Sequence, residues 1–194
     1  MPPASTPSTP TPSTPAPYGF VLAPLLPAPE YQALVASDFL NPHLLTAITL
    51  IALGRTRKQT AETMGIKQST LTSYFATAAN ALGCEQRMPL LVHRAYSHRA
   101  FPTPARVSAP APVLVPNEWM VLLAHTGGIT LQHLSDARML SLDSLTRINR
   151  ALLAKLKAEN PAHSVRRAWQ YALLPGTGTP STSTAGPGAG GRPS

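Results

Sequence analysis

The sequence predicts an all-α protein made of two copies of one helical unit, and three observations carry that expectation. Apolar residues recur at three- and four-residue spacing, as on one face of a helix, and no alternating strand pattern competes with them. Setting Gly54 against Gly128 gives an offset of 128 − 54 = 74 that aligns residues 40–85 with 114–159 without a gap. Helix-starting Asn and Pro and helix-ending Gly stand where that periodicity begins and stops.

The first helix is read in "NPHLLTAITLIALG", with Asn41 as N-cap, Pro42 at the first helical position and Gly54 at its end. A short second helix, "RTRKQTAETMG", closes at Gly65. The third starts at Gln68 or Ser69 and runs to Gly83, with Leu71, Tyr74 or Phe75, Ala78 and Leu82 as its apolar stripe. "RMPLLVHRAYSHRA" supplies a fourth. The 74-residue offset then pairs Leu40 with Leu114, Pro42 with Pro116, Ile48 with Leu122, Thr56 with Thr130, Leu71 with Leu145, Leu82 with Leu156 and Glu85 with Glu159. "AHSVRRAWQYALL" is the fourth helix of the second copy.

Composition sets the boundaries. The chain has 194 residues, of which 22 are Pro and 12 Gly, so much of its length is not core. Residues 1–30 and 175–194 are expected to be disordered tails, because Pro, Ser, Thr, Ala and Gly bury too little apolar surface to offset their ordering entropy. Residues 101–112, "FPTPARVSAPAP", read as a Pro-rich linker between a first unit at 31–100 and a second at 113–174. A single cysteine, Cys84, excludes an internal disulfide and a Cys-rich zinc site, and is expected in the core with Trp119 and Trp169. The six histidines share no ligand spacing, so no metal or other cofactor is expected. With no Ser/His/Asp grouping, no paired carboxylates and no Gly-rich phosphate loop, an enzyme has no candidate residues. No signal peptide and no membrane-length apolar run is read, so the expectation is a soluble cytoplasmic protein; its Ala, Pro and Arg usage hints at a high-GC bacterium, where it would be nucleoid-associated.

A formal charge of +8 favours an acidic partner, and the motif spacing points to duplex DNA. Ala61, Gly65 and Leu71 place a small residue, a turn glycine and an aliphatic plug where two helices of a helix-turn-helix cross closely. Around them, Gly54, Arg55, Thr56, Thr60, Ala61, Gly65, Ile66, Lys67, Thr70, Leu71 and Tyr74, then Ala81, Leu82, Gly83, Cys84 and Arg87, resemble the LuxR-type (GerE-like) DNA-binding domain. The second copy carries the likeness at Gly128, Thr130, Leu140, Ser141, Ser144, Leu145, Lys155 and Leu156. About two thirds of the chain is covered. The resemblance implies a four-helix transcription-factor domain whose third helix lies in the major groove and whose fourth pairs two domains.

The departures from that family shape the expected site. Ser69, Thr72 and Ser73 stand where family members often have basic residues, so the third helix offers no Arg to guanine. Gln68 can bond adenine, hydroxyls of Ser69, Thr70, Thr72 and Ser73 can bond either base type, and the methyls of Thr72 and Thr77 can meet a thymine methyl. Arg55, Arg57 and Lys58 are the expected phosphate contacts, and Thr56 and Lys67 are also expected at the DNA surface. In the second copy the candidates are Thr130, Ser144, Arg147 and Arg150. Against them stand Asp143 at the helix start, Met139 at the turn where Gly is preferred and Gln132 at the position of Lys58.

The expected function is sequence-specific binding of double-stranded DNA by a transcriptional regulator, with the first unit as the better reader. The two fourth helices are expected to pair, within one chain as a pseudo-dimer or between chains as a homodimer. Two other readings stay open at this stage: a protein-interaction adaptor that kept the fold without strong DNA binding, and a replication or partition protein of a mobile element.

Overall fold

The computed structural model describes residues 25, 26, 29, 30, 32, 40–98 and 101–174, and among them every regular element is helical. Eight helices follow in order: α1 Pro42–Ala52, α2 Arg57–Met64, α3 Gln68–Ala81, α4 Met88–Ser97, α5 Pro116–Gly127, α6 Leu131–Arg138, α7 Leu142–Leu156 and α8 Pro161–Gln170. None among the described residues is long and apolar enough to cross a membrane.

Local chemistry explains the boundaries. Asn41 Oδ1 accepts from the His43 amide at 2.9 Å, and Pro42 brings a helical φ to the first position of α1. Thr56 and Gln59 form a reciprocal capping box at the start of α2, at 3.2 and 2.9 Å. Gly65 ends α2 at φ 64°, a left-handed conformation that glycine enters without steric cost. Leu71 and Phe75 are the buried stripe residues of α3, whereas Tyr74 is half-buried against the His43 ring.

The backbone keeps the 74-residue offset through three helices. The Arg55 amide donates to the Leu50 carbonyl as the Ile129 amide does to Ala124, and Ile66 to Ala61 as Leu140 to Ser135. Cys84 to Ala79 repeats in Ala158 to Leu153. Left-handed residues recur in the same register, Gly65 with Met139 and Gly83 with Lys157. Before the fourth helices the register slips by one, because the N-caps Arg87 and Asn160 are 160 − 87 = 73 apart. The loop into α8 is one residue shorter. With that slip Val92 matches Val165 and Ala95 matches Ala168, all four fully buried.

Those two helices form the centre. α4 and α8 pack on each other, α1 crosses to α8, and α5 crosses to α4. α3 lies on α1 with α2 beside both, and α7 lies on α5 with α6 beside both. The Tyr96 and Trp169 rings meet at 5.8 Å, and the Trp169 indole N–H donates to His93 Nδ1 at 3.3 Å. The close approach of the two units is marked by two glycines related by the offset. A Cβ on Gly54 would stand 2.8 Å from His163 Nδ1, and one on Gly128 would stand 2.8 Å from Leu90 Cδ2. Asn160 Nδ2 donates to the Gly54 carbonyl at 2.7 Å. One apolar core runs through both units.

Two expectations from composition are corrected. Leu26 and Glu30 fall inside the run expected to be a disordered tail, yet both are buried. Glu30 closes a buried two-point ion pair with Arg166, at 2.6 and 3.0 Å, and Arg166 also donates to the Tyr96 hydroxyl at 2.8 Å. The 101–112 segment is no free spacer either, since Phe101 is core, Pro104 is buried, and the Val107 amide donates to the Gln170 carbonyl at 3.2 Å. Residues 1–24 and 175–194, also read as tails, lie outside the described residues.

Candidate nucleic-acid interface

In the first unit the basic residues collect at helix starts. Arg55 precedes α2, Arg57 and Lys58 form its first turn, and Lys67 is the N-cap of α3; all four are exposed. Helix starts carry partial positive charge from their free amides, so these cations add to a field already attractive to phosphate. Arg55, Arg57 and Lys67 enter no ion pair among the described residues; the Arg57 guanidinium lies 5.9 Å over the Phe75 ring. Lys58 reaches Glu62 at 4.0 Å with both side chains well exposed, a contact weak enough to give way to phosphate.

The exposed face of α3 is free of charge. Gln68, Ser69, Thr72, Ser73 and Thr77 are exposed and Thr70 is half-buried. The Thr72 and Ser73 hydroxyls donate to the carbonyls of Gln68 and Ser69, at 2.9 and 3.2 Å. A hydroxyl so engaged offers a base its lone pairs, so in this arrangement these two residues favour base donors and their methyl and methylene surface. That narrows the expectation that they bond either base type. Gln68 is exposed at the first position of the helix. In its capping box the Thr56 amide donates to Gln59 Oε1 and its hydroxyl oxygen accepts from the Gln59 amide, so the donor Thr56 keeps for a phosphate is its hydroxyl O–H.

The second unit is not a copy of this surface. Thr130 caps α6 by accepting from the His133 amide at 3.1 Å, and Ser144 accepts from the Ser141 hydroxyl at 2.8 Å; both are half-buried. Arg147 and Arg150 are exposed on α7 and unpaired among the described residues. At the offset, Ile129 stands for Arg55, Leu131 for Arg57, Gln132 for Lys58, Ser141 for Lys67 and Leu142 for Gln68. Sequence reasoning noticed Gln132 and Met139 but missed the apolar replacements, which only exposure reveals. Ile129 is 47% exposed, Leu142 44% and Met139 95%.

Other chemistry-bearing residues have structural surroundings. Cys84 is half-buried against the core, where burial pushes its thiol above the ordinary range. Trp169 is core, and Trp119, expected there too, is half-buried against it. Among the described residues no three His, Cys, Asp or Glu side chains gather as a metal site. A cleft of about 540 Å³ opens between the start of α2 and the second unit, lined by Arg55, Thr56, Gln59, Glu159 and Asn160 among others. Comparison with models of protein families, with curated proteins and with solved structures finds no match to this chain.

Proposed function

We propose that this chain binds double-stranded DNA in a sequence-dependent way through α2 and α3 of the first unit, and acts as a transcriptional regulator. The observation that carries the reading is the arrangement on those helices: a charge-free, hydrogen-bonding face on α3, with exposed Arg55, Arg57, Lys58 and Lys67 at the helix starts beside it. Phosphate contacts position a protein on DNA and base contacts specify, and the two residue classes divide accordingly. The likeness to the LuxR-type domain supports the same assignment. Gln68 is the candidate reader of adenine, and the Thr72 and Thr77 methyls are candidates for thymine.

The packing of α4 on α8 supports a further part of the reading, that the fourth helices make an intramolecular pseudo-dimer. One chain then presents two unlike surfaces to one partner or two. The first unit is the DNA reader, and Arg147 and Arg150 of the second add positive field.

Selection of bound duplexes from a random library by the full chain tests this. The expected result is an enriched motif containing A·T pairs, with affinity lowered by Gln68→Ala for the motif but not for scrambled duplex. A library that returns no motif would overturn the sequence-dependent reading.

A further inference from the structure

The cleft between the two units brings together opposite charges that do not satisfy one another. Arg55, Thr56 and Gln59 enter it from the start of α2, and Glu159 and Asn160 from the loop before α8. Leu25 and Leu53 supply apolar lining. Its volume of about 540 Å³ lies within the roughly 300–1,000 Å³ of small-molecule sites. The second-unit wall is fixed by hydrogen bonds. Asn160 Nδ2 donates to the Gly54 carbonyl at 2.7 Å while its Oδ1 accepts from the His163 amide at 3.0 Å, and the Glu159 amide donates to His163 Nδ1 at 3.2 Å. A Cβ on Gly54 would stand 3.2 Å from both Cβ and Cγ of Glu159, so the stem of that carboxylate lies against the residue next to Arg55. Even so, Arg55 and Glu159 are both exposed, and neither enters an ion pair among the described residues.

The polar groups divide by wall. The first unit offers donors: the Arg55 guanidinium, the Thr56 hydroxyl hydrogen and the Gln59 NH2 group, whose own Oε1 is occupied by the Thr56 amide at 2.9 Å. The second unit offers the Glu159 carboxylate, which only accepts. A plain anion meets repulsion from Glu159, a plain cation meets it from Arg55, and an uncharged molecule leaves both charges unmatched. We propose that the cleft binds a zwitterionic α-amino acid with an apolar side chain. Its carboxylate takes the donors of Arg55, Thr56 and Gln59, its ammonium takes Glu159, and its side chain lies on Leu25 and Leu53. Arg55 and Thr56 are also candidate DNA contacts, so the bound amino acid removes donors that phosphate would use and lowers DNA affinity. That consequence rests on the proposed DNA binding; the binding of the amino acid does not.

The test is calorimetric titration of the full chain with L-leucine, L-methionine and L-phenylalanine, each up to about 10 mM. At least one should bind, and its N-acetyl and amide forms, which each lack one charge, should bind about tenfold more weakly. Glu159→Gln should weaken the free amino acid about tenfold but not its N-acetyl form, and Arg55→Gln should weaken the free amino acid but not its amide. A variant that had merely lost its fold would weaken every form alike. With a selected duplex, the bound amino acid should lower DNA affinity in the wild-type chain and not in Glu159→Gln. Binding by none of the three, binding indifferent to N-acetylation, or a Glu159→Gln chain that binds like wild type overturns the proposed site. A bound amino acid that leaves duplex affinity unchanged overturns the regulatory consequence, whereas a chain that binds the amino acid and no duplex counts against the DNA reading and supports the site.

Discussion

Replacing Glu30 by Ala should be among the most destabilising single changes in this chain. The Arg166 and Glu30 side chains are 4% and 6% exposed, and the pair is closed at two points, 2.6 and 3.0 Å. Without the carboxylate, a guanidinium that cannot shed its proton is left in the core with only the Tyr96 hydroxyl, at 2.8 Å, as a partner. Breaking a buried pair in this way costs about 3–5 kcal/mol, a large share of the roughly 5–15 kcal/mol that holds a domain folded. For a folded region of this size each kcal/mol lowers Tm by about 2–4 °C, so a fall of about 10 °C is expected. Glu30→Leu combined with Arg166→Met removes both charges and should recover most of the loss. Urea unfolding followed by far-ultraviolet circular dichroism gives the free energies. A cost below about 1 kcal/mol for Glu30→Ala would refute the reasoning, because it would mean that the segment around Glu30 does not stay on the core in solution.

Other outcomes follow from the same structure. Burial holds the His125 imidazole down to about 4 from an ordinary 6.5, so the fold favours its neutral form. Its contribution is intact above pH 6.5 and is lost as pH falls from about 6.5 towards 4, by about 1.4 kcal/mol per unit of pH. His125→Ile, which copies Ile51 of the first unit, should flatten the fall in urea midpoint between pH 7 and pH 4.5; an unchanged slope would contradict the assignment. Met139→Gly should raise Tm by about 2–4 °C by relieving a left-handed side chain, and a lower Tm would show that Met139 has contacts in solution that its exposure denies. Gly65→Ala should cost about 1 kcal/mol from backbone alone, since a Cβ there meets nothing within 4 Å. Gly54→Ala should cost distinctly more, because its Cβ also meets His163 and Glu159 of the other unit at 2.8 and 3.2 Å; equal costs would argue against the close approach of the two units.

Helix limits were readable because they are set locally. Asn41, Pro42 and Gly65 fix the ends of α1 and α2 through atoms within four residues of themselves, and the 74-residue offset reappears in backbone hydrogen bonds because left-handed helix ends recur in the same register, even where the residue type changes. Glu30 was unreadable for the opposite reason. Its stretch is Pro-rich and its partner Arg166 lies 136 residues away, a pairing no window of sequence contains. Phe101 was hidden in the same way, a core side chain inside a segment whose composition reads as linker. The one-residue slip before α8 also escaped, since only the matched burial of Val92 with Val165 and Ala95 with Ala168 fixes it. At the candidate site, Gln68 and Lys58 were named from the sequence, and both side chains are exposed. The apolar replacements in the second unit were missed, because Leu142 and Ile129 look like core residues until the fold turns them outward.

The proposed DNA binding is tested most directly by measuring the affinity of the full chain for a selected duplex and for a scrambled one across 50–200 mM salt. About four phosphate contacts from Arg55, Arg57, Lys58 and Lys67 predict a loss of about a hundredfold over that range for both duplexes. Lys58→Ala should reduce the logarithmic slope by about one for both, while the preference for the selected duplex should persist at every salt concentration and fall with Gln68→Ala. Equal, weak binding to the two duplexes, unchanged by Lys58→Ala, would contradict the assignment of α2 and α3 to DNA.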